Sequence, residues 1–443
     1  MRNNLDIKLA FGLMALLLIM VGFMQSWGVA LAILNLCLIS AVMSMGVNIQ
    51  WGYSGLINFG VMGFLAIGGF ATIIVSVPPV KEAWSAGGFG IILSGLILFI
   101  LIAGIFYVHR KFQSKYKNYL LFFLVISVIP VMKLAAGPSI SAIESIDAAT
   151  SGFLGGFDLP IILSWFVGAI FAALVAFIIG KVCLDLRSDY LAIATIGIAE
   201  IIKLFLKNET SLTNGPRGIN KIPRPWEHLS EERFYSSAPM SWFKDSTGWE
   251  NFFDKLPNWW WQPFFCVTIL VIVNVIYRFL EKAQRSPWGR MMTAIRENEG
   301  AARAAGKYVS QRRIEAFVIG AMIMGLAGAM LSQHLKLIDP TNTFDPSKMT
   351  FLVWVMLIAG GSGNNKGAVF GAFLVWIIWS ASEIFINSGL HLFGQLVSDM
   401  DLSLLKTRAG YLRMVVIGLL LQYILQKYPD GIIPESRPNT NIC

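Results

Sequence analysis

Apolar residues recur in long, nearly charge-free runs from residue 7 almost to the C-terminus, separated by short polar stretches. A helix needs about 20 apolar residues to cross a hydrocarbon layer of roughly 30 Å. Runs that meet or approach this length cover residues 7–24, 28–46, 55–77, 89–108, 118–136, 160–182, 189–206, 263–280, 314–333, 367–387 and 411–426. A twelfth, 350–361, is too short to span comfortably and reads as a half-helix or re-entrant segment, which is tolerated only where protein or a water-filled cavity covers its backbone. The expected fold class is all-α, a polytopic membrane helical bundle of about 10–12 transmembrane segments in one domain, residues 1–443. Arg2 and Lys8 before the first run imitate a secretory signal. A second run follows almost at once with no A-x-A cleavage site, so a retained helical hairpin is expected.

Composition agrees with this pattern: 56% of residues are hydrophobic and 14% charged, against roughly half and a quarter in soluble chains. With twelve passes and the N-terminus inside, the inner segments hold nineteen Lys and Arg, and the short outer loops hold only Lys81, Lys336, Lys348, Lys406 and Arg408. The positive-inside rule then places both termini on the cytoplasmic side of a bacterial inner membrane. The net charge of +9 becomes a topology signal and implies no nucleic-acid partner. Residues 109–117 form a cytoplasmic loop. The outer segment 207–262 balances seven basic against seven acidic residues and carries Trp226, Trp242, Trp249 and Trp259 to Trp261, as expected of a periplasmic cap lying on the interface. The inner segment 281–313 carries eight basic residues against three acidic ones and reads as a cytoplasmic loop containing short helices.

Several chemistries are excluded. Cys37, Cys183, Cys266 and Cys443 are scattered without C-x-x-C or metal-ligand spacing, and the histidines at 109, 228, 334 and 391 form no H-E-x-x-H pair. Cys443 lacks the three following residues of a prenylation box. No G-x-x-x-x-G-K-[ST] occurs, so an ATP-driven process would draw its motor from another chain. No catalytic residue, bound cofactor or metal is expected.

The inner loop reads Ser286-Pro287-Trp288-Gly289-Arg290-Met291-Met292-Thr293-Ala294-Ile295-Arg296-Glu297-Asn298-Glu299-Gly300-Ala301-Ala302-Arg303-Ala304-Ala305-Gly306. Ser286 can cap a helix with Pro287 at its first position, and the alanines favour helix until Gly306. A basic loop that only fixes topology would satisfy the same physics. The stretch closely resembles the coupling loop of branched-chain amino-acid ABC permeases of the LivM type, S-P-F-G-R-A-L-x-A-I-R-E-N-E-x-A-A-x-x-x-G. That resemblance implies ATPase-coupling roles for Ser286, Gly289, Arg290, Arg296, Glu297, Glu299, Ala301, Ala302 and Gly306. Gly300 stands where importers usually carry glutamate. Further similarity lies in 190–195, Ala199-Glu200-Ile201, 212–219, the glycine-rich 52–60, Gly360 to Gly363 through Gly371, and Pro429-Asp430-Gly431. Val61 and Met62 replace a histidine common in the family. Residues 81–159, expected to add a helical hairpin, and the outer loop beyond Pro223 do not match.

The resemblance implies a permease subunit that acts with a second homologous permease, two cytoplasmic ABC ATPases, a periplasmic substrate-binding protein and the lipid bilayer. Its substrate would be a branched-chain or related hydrophobic amino acid, with urea and short amides as alternatives. Pathway candidates are Tyr53, Ser54, Asn58, Glu200, Thr213 and Asn214. Asn58 could meet an ammonium or a carboxylate without a buried charge, or only hydrogen-bond a neighbouring helix. Glu200 and Lys203 could pair locally or line a path. The glycines at 60, 63, 68 and 69, and at 363, 367 and 371, suit close helix packing, although a helix broken near Asn58 or Gly361 could expose backbone to a zwitterion. A secondary transporter is the runner-up, with Glu200 and Glu383 as its only intramembrane acids of note. A membrane enzyme lacks paired catalytic residues.

Overall fold

The computed structural model describes residues 4–111, 117–146, 152–230, 259–396 and 403–435. Each apolar run becomes a helix: α1 Asn4–Met24, α2 Trp27–Val47, α3 Val61–Ser76, α4 Phe89–Lys111, α5 Lys117–Glu144, α6 Leu163–Cys183, α7 Ser188–Asn208, α8 Trp261–Arg285, α11 Val309–Leu335, α12 Pro346–Gly360, α13 Asn365–Leu396 and α14 Ser403–Lys427. Between α8 and α11 lie two short helices, α9 Pro287–Glu297 and α10 Glu299–Ala304. The described strand content is one antiparallel pair, β1 Ile219–Asn220 with β2 Leu337–Ile338, in the register Ile219 to Ile338. The fold is therefore all-α. Among the described residues six helices are long and apolar enough to cross a membrane. Helix α7, with Glu200 and Lys203 in its middle and charges near both ends, is not one of them.

Three expectations change in detail. The run 55–77 is not one helix: α2 ends in a π-helical turn, Asn48–Tyr53, residues 55–60 are irregular, and α3 starts at Val61. Gly55, at φ +72°, takes a backbone conformation that side chains disfavour. The short run at 350–361 is the 15-residue α12, about 22 Å long by helical rise. It ends at Gly361 with φ +118°. The loop 286–306 holds two helices because Asn298 leaves helical geometry (φ −152°) and accepts the Ala301 amide at 2.9 Å, closing α9 and capping α10.

The core is where α2, α3, α6 and α11 cross. Between helices in lipid there is little hydrophobic drive, so close van der Waals contact of small residues must hold them. Gly68, Gly168 and Gly325 meet there: a Cβ added to Gly68 would fall on the Gly325 carbonyl, and one on Gly325 would strike Gly168 and Ala172. Gly328 abuts the Leu65 backbone in the same way. Trp165, Phe265 and Phe317 fill the spaces around this crossing and are fully buried. The expected hairpin at 81–159 is present as α4 and α5. It packs on itself, is anchored to the bundle by Ala83, Ile143 and Leu154 against Leu212, and presents Phe99, Ile129 and Leu134 outward.

Overpacking a close crossing costs roughly 1–3 kcal/mol. Gly325→Val is therefore expected to lower the thermal unfolding midpoint and membrane yield of the purified protein. Gly95→Val, at a position on α4 with no neighbour within 4 Å, is expected to leave both unchanged.

Candidate functional site

Two interrupted helices meet at the end of the bundle that carries α9. In the first, the turn 48–53 widens to π geometry, a form concentrated at functional sites, and the chain then runs irregularly to Gly60. The second interruption lies between α12 and α13, at residues 361–364. Their backbones touch: a Cβ on Gly52 would lie 2.5 Å from the Gly363 nitrogen. Asn48, fully buried, accepts the Gly363 amide at 2.8 Å and donates to Asn365 Oδ1 at 3.1 Å. The Tyr53 hydroxyl donates to the same Asn365 oxygen at 2.6 Å. Gln284, at the end of α8, donates to the Gly363 carbonyl at 2.8 Å.

Asn58 sits deeper in the first interruption. Its Nδ2 donates to Gln50 Oε1 at 2.7 Å, its Oδ1 accepts the Gly60 amide at 2.8 Å, and its carbonyl accepts Trp354 Nε1 at 3.1 Å. Gln50 in turn donates to the Phe317 carbonyl at 2.8 Å. Thr195 of α7 accepts the Phe59 amide at 3.1 Å, and Thr350 of α12 accepts that of Met62 at 3.3 Å. Ser54 donates back to the Gln50 carbonyl at 2.6 Å. Ser54 and Asn58 thus meet at Gln50, whereas Tyr53 belongs to the separate Asn48–Asn365 group. In this conformation the Asn58 amide is committed to neighbouring protein groups.

The other three pathway candidates lie elsewhere. Glu200 pairs with Lys203 at 2.6 Å along α7. Thr213 donates to the Leu206 carbonyl at 2.6 Å, and Asn214, left-handed at φ +59°, donates to the Gly218 carbonyl at 2.9 Å. Both shape the turn leading into β1, at the opposite end of the bundle. There Arg224 donates to the Gln333 and His334 carbonyls at 3.0 and 2.6 Å and lies over Trp261. Burial pulls the pKa of its guanidinium down, and Glu227 opposes this.

Around α9, Ser286 caps the helix by accepting the Trp288 amide at 3.2 Å, with Pro287 in the first turn as expected. Gly289 packs against the Gln284 carbonyl so closely that a Cβ would overlap it. Met292, Ile295 and Ala302 are buried, whereas Arg290, Glu297, Ala301 and Gly306 are exposed. Glu299 pairs with Arg303 at 2.7 Å and with Arg313 at 3.2 Å. Arg296 turns inward. Cys37, Cys183 and Cys266 are buried free thiols. Among the described residues no group of three or more His, Cys, Asp or Glu side chains could hold a metal.

A model of the family described as "Branched-chain amino acid transport system / permease component" matches residues 118–425. The chain belongs to that family. It is 25% identical over 400 residues to the probable branched-chain amino acid transport permease protein LivM of Methanocaldococcus jannaschii, covering 89% of this chain and 90% of the relative. It is 26% identical over 280 residues to the high-affinity branched-chain amino acid transport system permease protein LivM of Escherichia coli K12, covering 62% of this chain and 58% of the relative. A more distant relative, the xylose transport system permease protein XylH of E. coli K12, is 29% identical over 110 residues, which is 24% of this chain and 28% of that one. No solved structure matches. The permease is thus a multi-pass membrane transport protein. The matched span begins inside the segment read as an insertion and takes in the whole outer loop 207–262.

Sequence reasoning missed Asn48 and Asn365, which tie the permease's two interruptions together, Gln284, which joins α8 to the second, and Gln50, which holds Asn58. One signal was present: Asn48 and Gln50 follow an uncharged apolar run directly, where polar side chains need partners. Removing the Asn58 amide leaves Gln50 Oε1 and the Gly60 amide without their donor and acceptor, at roughly 1–3 kcal/mol per orphaned group. Asn58→Ala is therefore expected to lower the thermal midpoint, the assembled yield and uptake together. Full assembly with selectively lost uptake would instead return Asn58 to the substrate path.

Proposed function

We propose that the permease is one of two related membrane subunits of an ATP-binding-cassette importer that carries a branched-chain or related hydrophobic amino acid across the inner membrane. Two cytoplasmic ATPases would drive it and a periplasmic binding protein would deliver the ligand. The observation that carries this reading is the loop 286–306, in the family-matched region, folded as two short helices whose inner residues anchor them and whose outer residues stand free. Such a loop suits insertion into a cleft of a partner. The orientation with α9, α10 and both termini in the cytoplasm rests on the distribution of Lys and Arg.

An amino-acid zwitterion cannot cross hydrocarbon unaided, because an isolated charge at the bilayer centre costs at least several kcal/mol. The path must be lined by protein. Helix α7 supports a shared path: it leaves Tyr190, Ile193, Ile201 and Phe205 exposed, yet carries the Glu200–Lys203 pair, with 40% of the Glu200 side chain exposed. Ionisable groups are costly against lipid, so this face suits a second permease subunit or a water-filled route between the two. Tyr53 and Ser54, with Asn58 holding the backbone behind them, would frame the route at one end of the bundle and Thr213 and Asn214 the loop at the other. No cofactor is proposed for this chain.

The free and anchored positions of the loop give a test. Ala301 is exposed and Ala302 buried, so Ala301→Asp is expected to abolish co-purification of the co-expressed ATPase while the permease stays folded in the membrane. A cysteine at Glu297 is expected to cross-link to that ATPase. Normal co-purification and uptake by Ala301→Asp, with no cross-link from 297, would contradict the docking role.

A further inference from the structure

We infer that Arg296 is a positioning residue that links the docking loop mechanically to both helix interruptions, and that its role is internal coupling rather than contact with the ATPase. This rests on the importer reading above. Arg296 lies in the last turn of α9, and its side chain is 23% exposed, against 82% for Arg285 and 63% for Arg303. One guanidinium nitrogen donates to the Gly52 carbonyl, inside the π-turn that precedes the first interruption. The other is 2.8 Å from Glu435 Oε2.

Glu435 belongs to the segment after α14, which is laced to the second interruption. Ile432 and Ile433 donate their amides to the Ala359 and Gly360 carbonyls at 3.0 and 2.9 Å, and Asn364 donates to the Pro434 carbonyl at 3.0 Å. One side chain therefore touches the docking helix, the π-turn and the strap over the second interruption. Glycines make room for it: a Cβ on Gly55 would press on Arg296 Cγ at 3.1 Å, and one on Gly363 would meet Glu435 at 2.8 Å and Arg296 at 3.2 Å. Beside this junction a cavity of about 420 Å³, lined in part by Trp51, Gly52, Asp430 and Pro434, leaves space for the guanidinium to shift without colliding with the bundle.

Other charged contacts hold the loop against α11, with Trp288 of α9 donating to Glu315 at 3.1 Å and Arg313 reaching Glu299 of α10 at 3.2 Å, but neither touches an interruption. Among the described residues, Glu299 and Arg303 pair on the outside of the loop, and Arg312 pairs with Glu315 within α11. The neutral contacts between α9 and the bundle, such as Ile295 and Met292 in the core, hold position without specifying which backbone carbonyl follows the helix. A cation donating to a peptide carbonyl and a carboxylate at once is directional, and it moves both interruptions with the loop.

The test uses the complete transporter, permeases and ATPases together, in proteoliposomes supplied with its binding protein. The readout is substrate taken up per ATP hydrolysed. Arg296→Ala and Glu435→Gln are each expected to lower that ratio by roughly 2- to 30-fold, the range of mutational effects on coupling, and the exchanged pair Arg296→Glu with Glu435→Arg is expected to recover part of it. Arg296→Lys keeps the charge but loses the fork that serves two acceptors, so it is expected to fall between Ala and the unaltered protein. A ratio unchanged in Arg296→Ala, with the ATPase still bound, would overturn the inference and leave the importer reading standing. Loss of assembly in Arg296→Ala, Arg296→Lys and Glu435→Gln alike would mark a merely structural role and overturn it as well. Failure of the unaltered permease to associate with any ATPase would instead overturn the reading beneath it.

Discussion

Inside a bilayer no water is present to satisfy an unpaired peptide group, so chain that leaves helical geometry at membrane depth must find its hydrogen bonds within the protein. Residues 54–60 and 361–364 both leave helical geometry, and buried side chains meet part of the backbone they free. Asn48, Gln50, Asn58 and Asn365 supply side-chain amides, and Thr195, Thr350 and Trp354 complete the partners. The glycines at 52 and 363 let the two interruptions approach until their backbones touch, so Asn48 of the first turn also accepts the Gly363 amide of the second. The end of α8 enters the set through Gln284, α9 through Arg296, and the segment after α14 through the amides of Ile432 and Ile433. The glycine crossing of α3, α6 and α11 holds the scaffold on which this junction is built.

What could be read from the sequence followed from how local the cause was. All twelve apolar runs became helices because hydrophobic length is a property of the run itself. Ser286 with Pro287, and the stop at Gly361, were legible for the same reason: a cap or a left-handed residue acts within its own turn. Short helices in the loop 281–313 are expected and present, but the boundary at Asn298 is concealed by alanine-rich helix propensity on both sides, and there the Asn298 side chain closes one helix and opens the next. The start of α3 at Val61 rather than 55 depends on Asn58, Gln50 and Trp354, and the last of these stands 296 residues away. Pairing of Asn48 with Asn365 crosses 317 residues, and no periodicity encodes it. The side chain of Glu383, named as an intramembrane acid, lies outside the described residues.

The same distinction separates the residues assigned to the docking loop. A motif marks residues that matter without saying which way they face. Arg290, Glu297 and Ala301 face outward, where a partner can meet them, whereas Met292, Ile295, Arg296 and Ala302 face the bundle. The glycine at position 300, where importers usually carry glutamate, falls on the exposed side of α10, and the neighbouring Glu299 is held by Arg303 and Arg313. A loop with one face fixed and the other free can carry motion from a partner into the bundle.

The proposed function makes this chain the passive pathway of a machine driven by nucleotide hydrolysis elsewhere, and the energy source of transport tests that most directly. Labelled leucine uptake should be measured in proteoliposomes holding the two permeases and the ATPases, with binding protein outside and ATP enclosed, before and after a protonophore collapses any ion gradient. Uptake that requires enclosed ATP and binding protein and survives the protonophore is the predicted result. Uptake without ATP that is abolished by the protonophore would contradict the account and make the chain a secondary transporter.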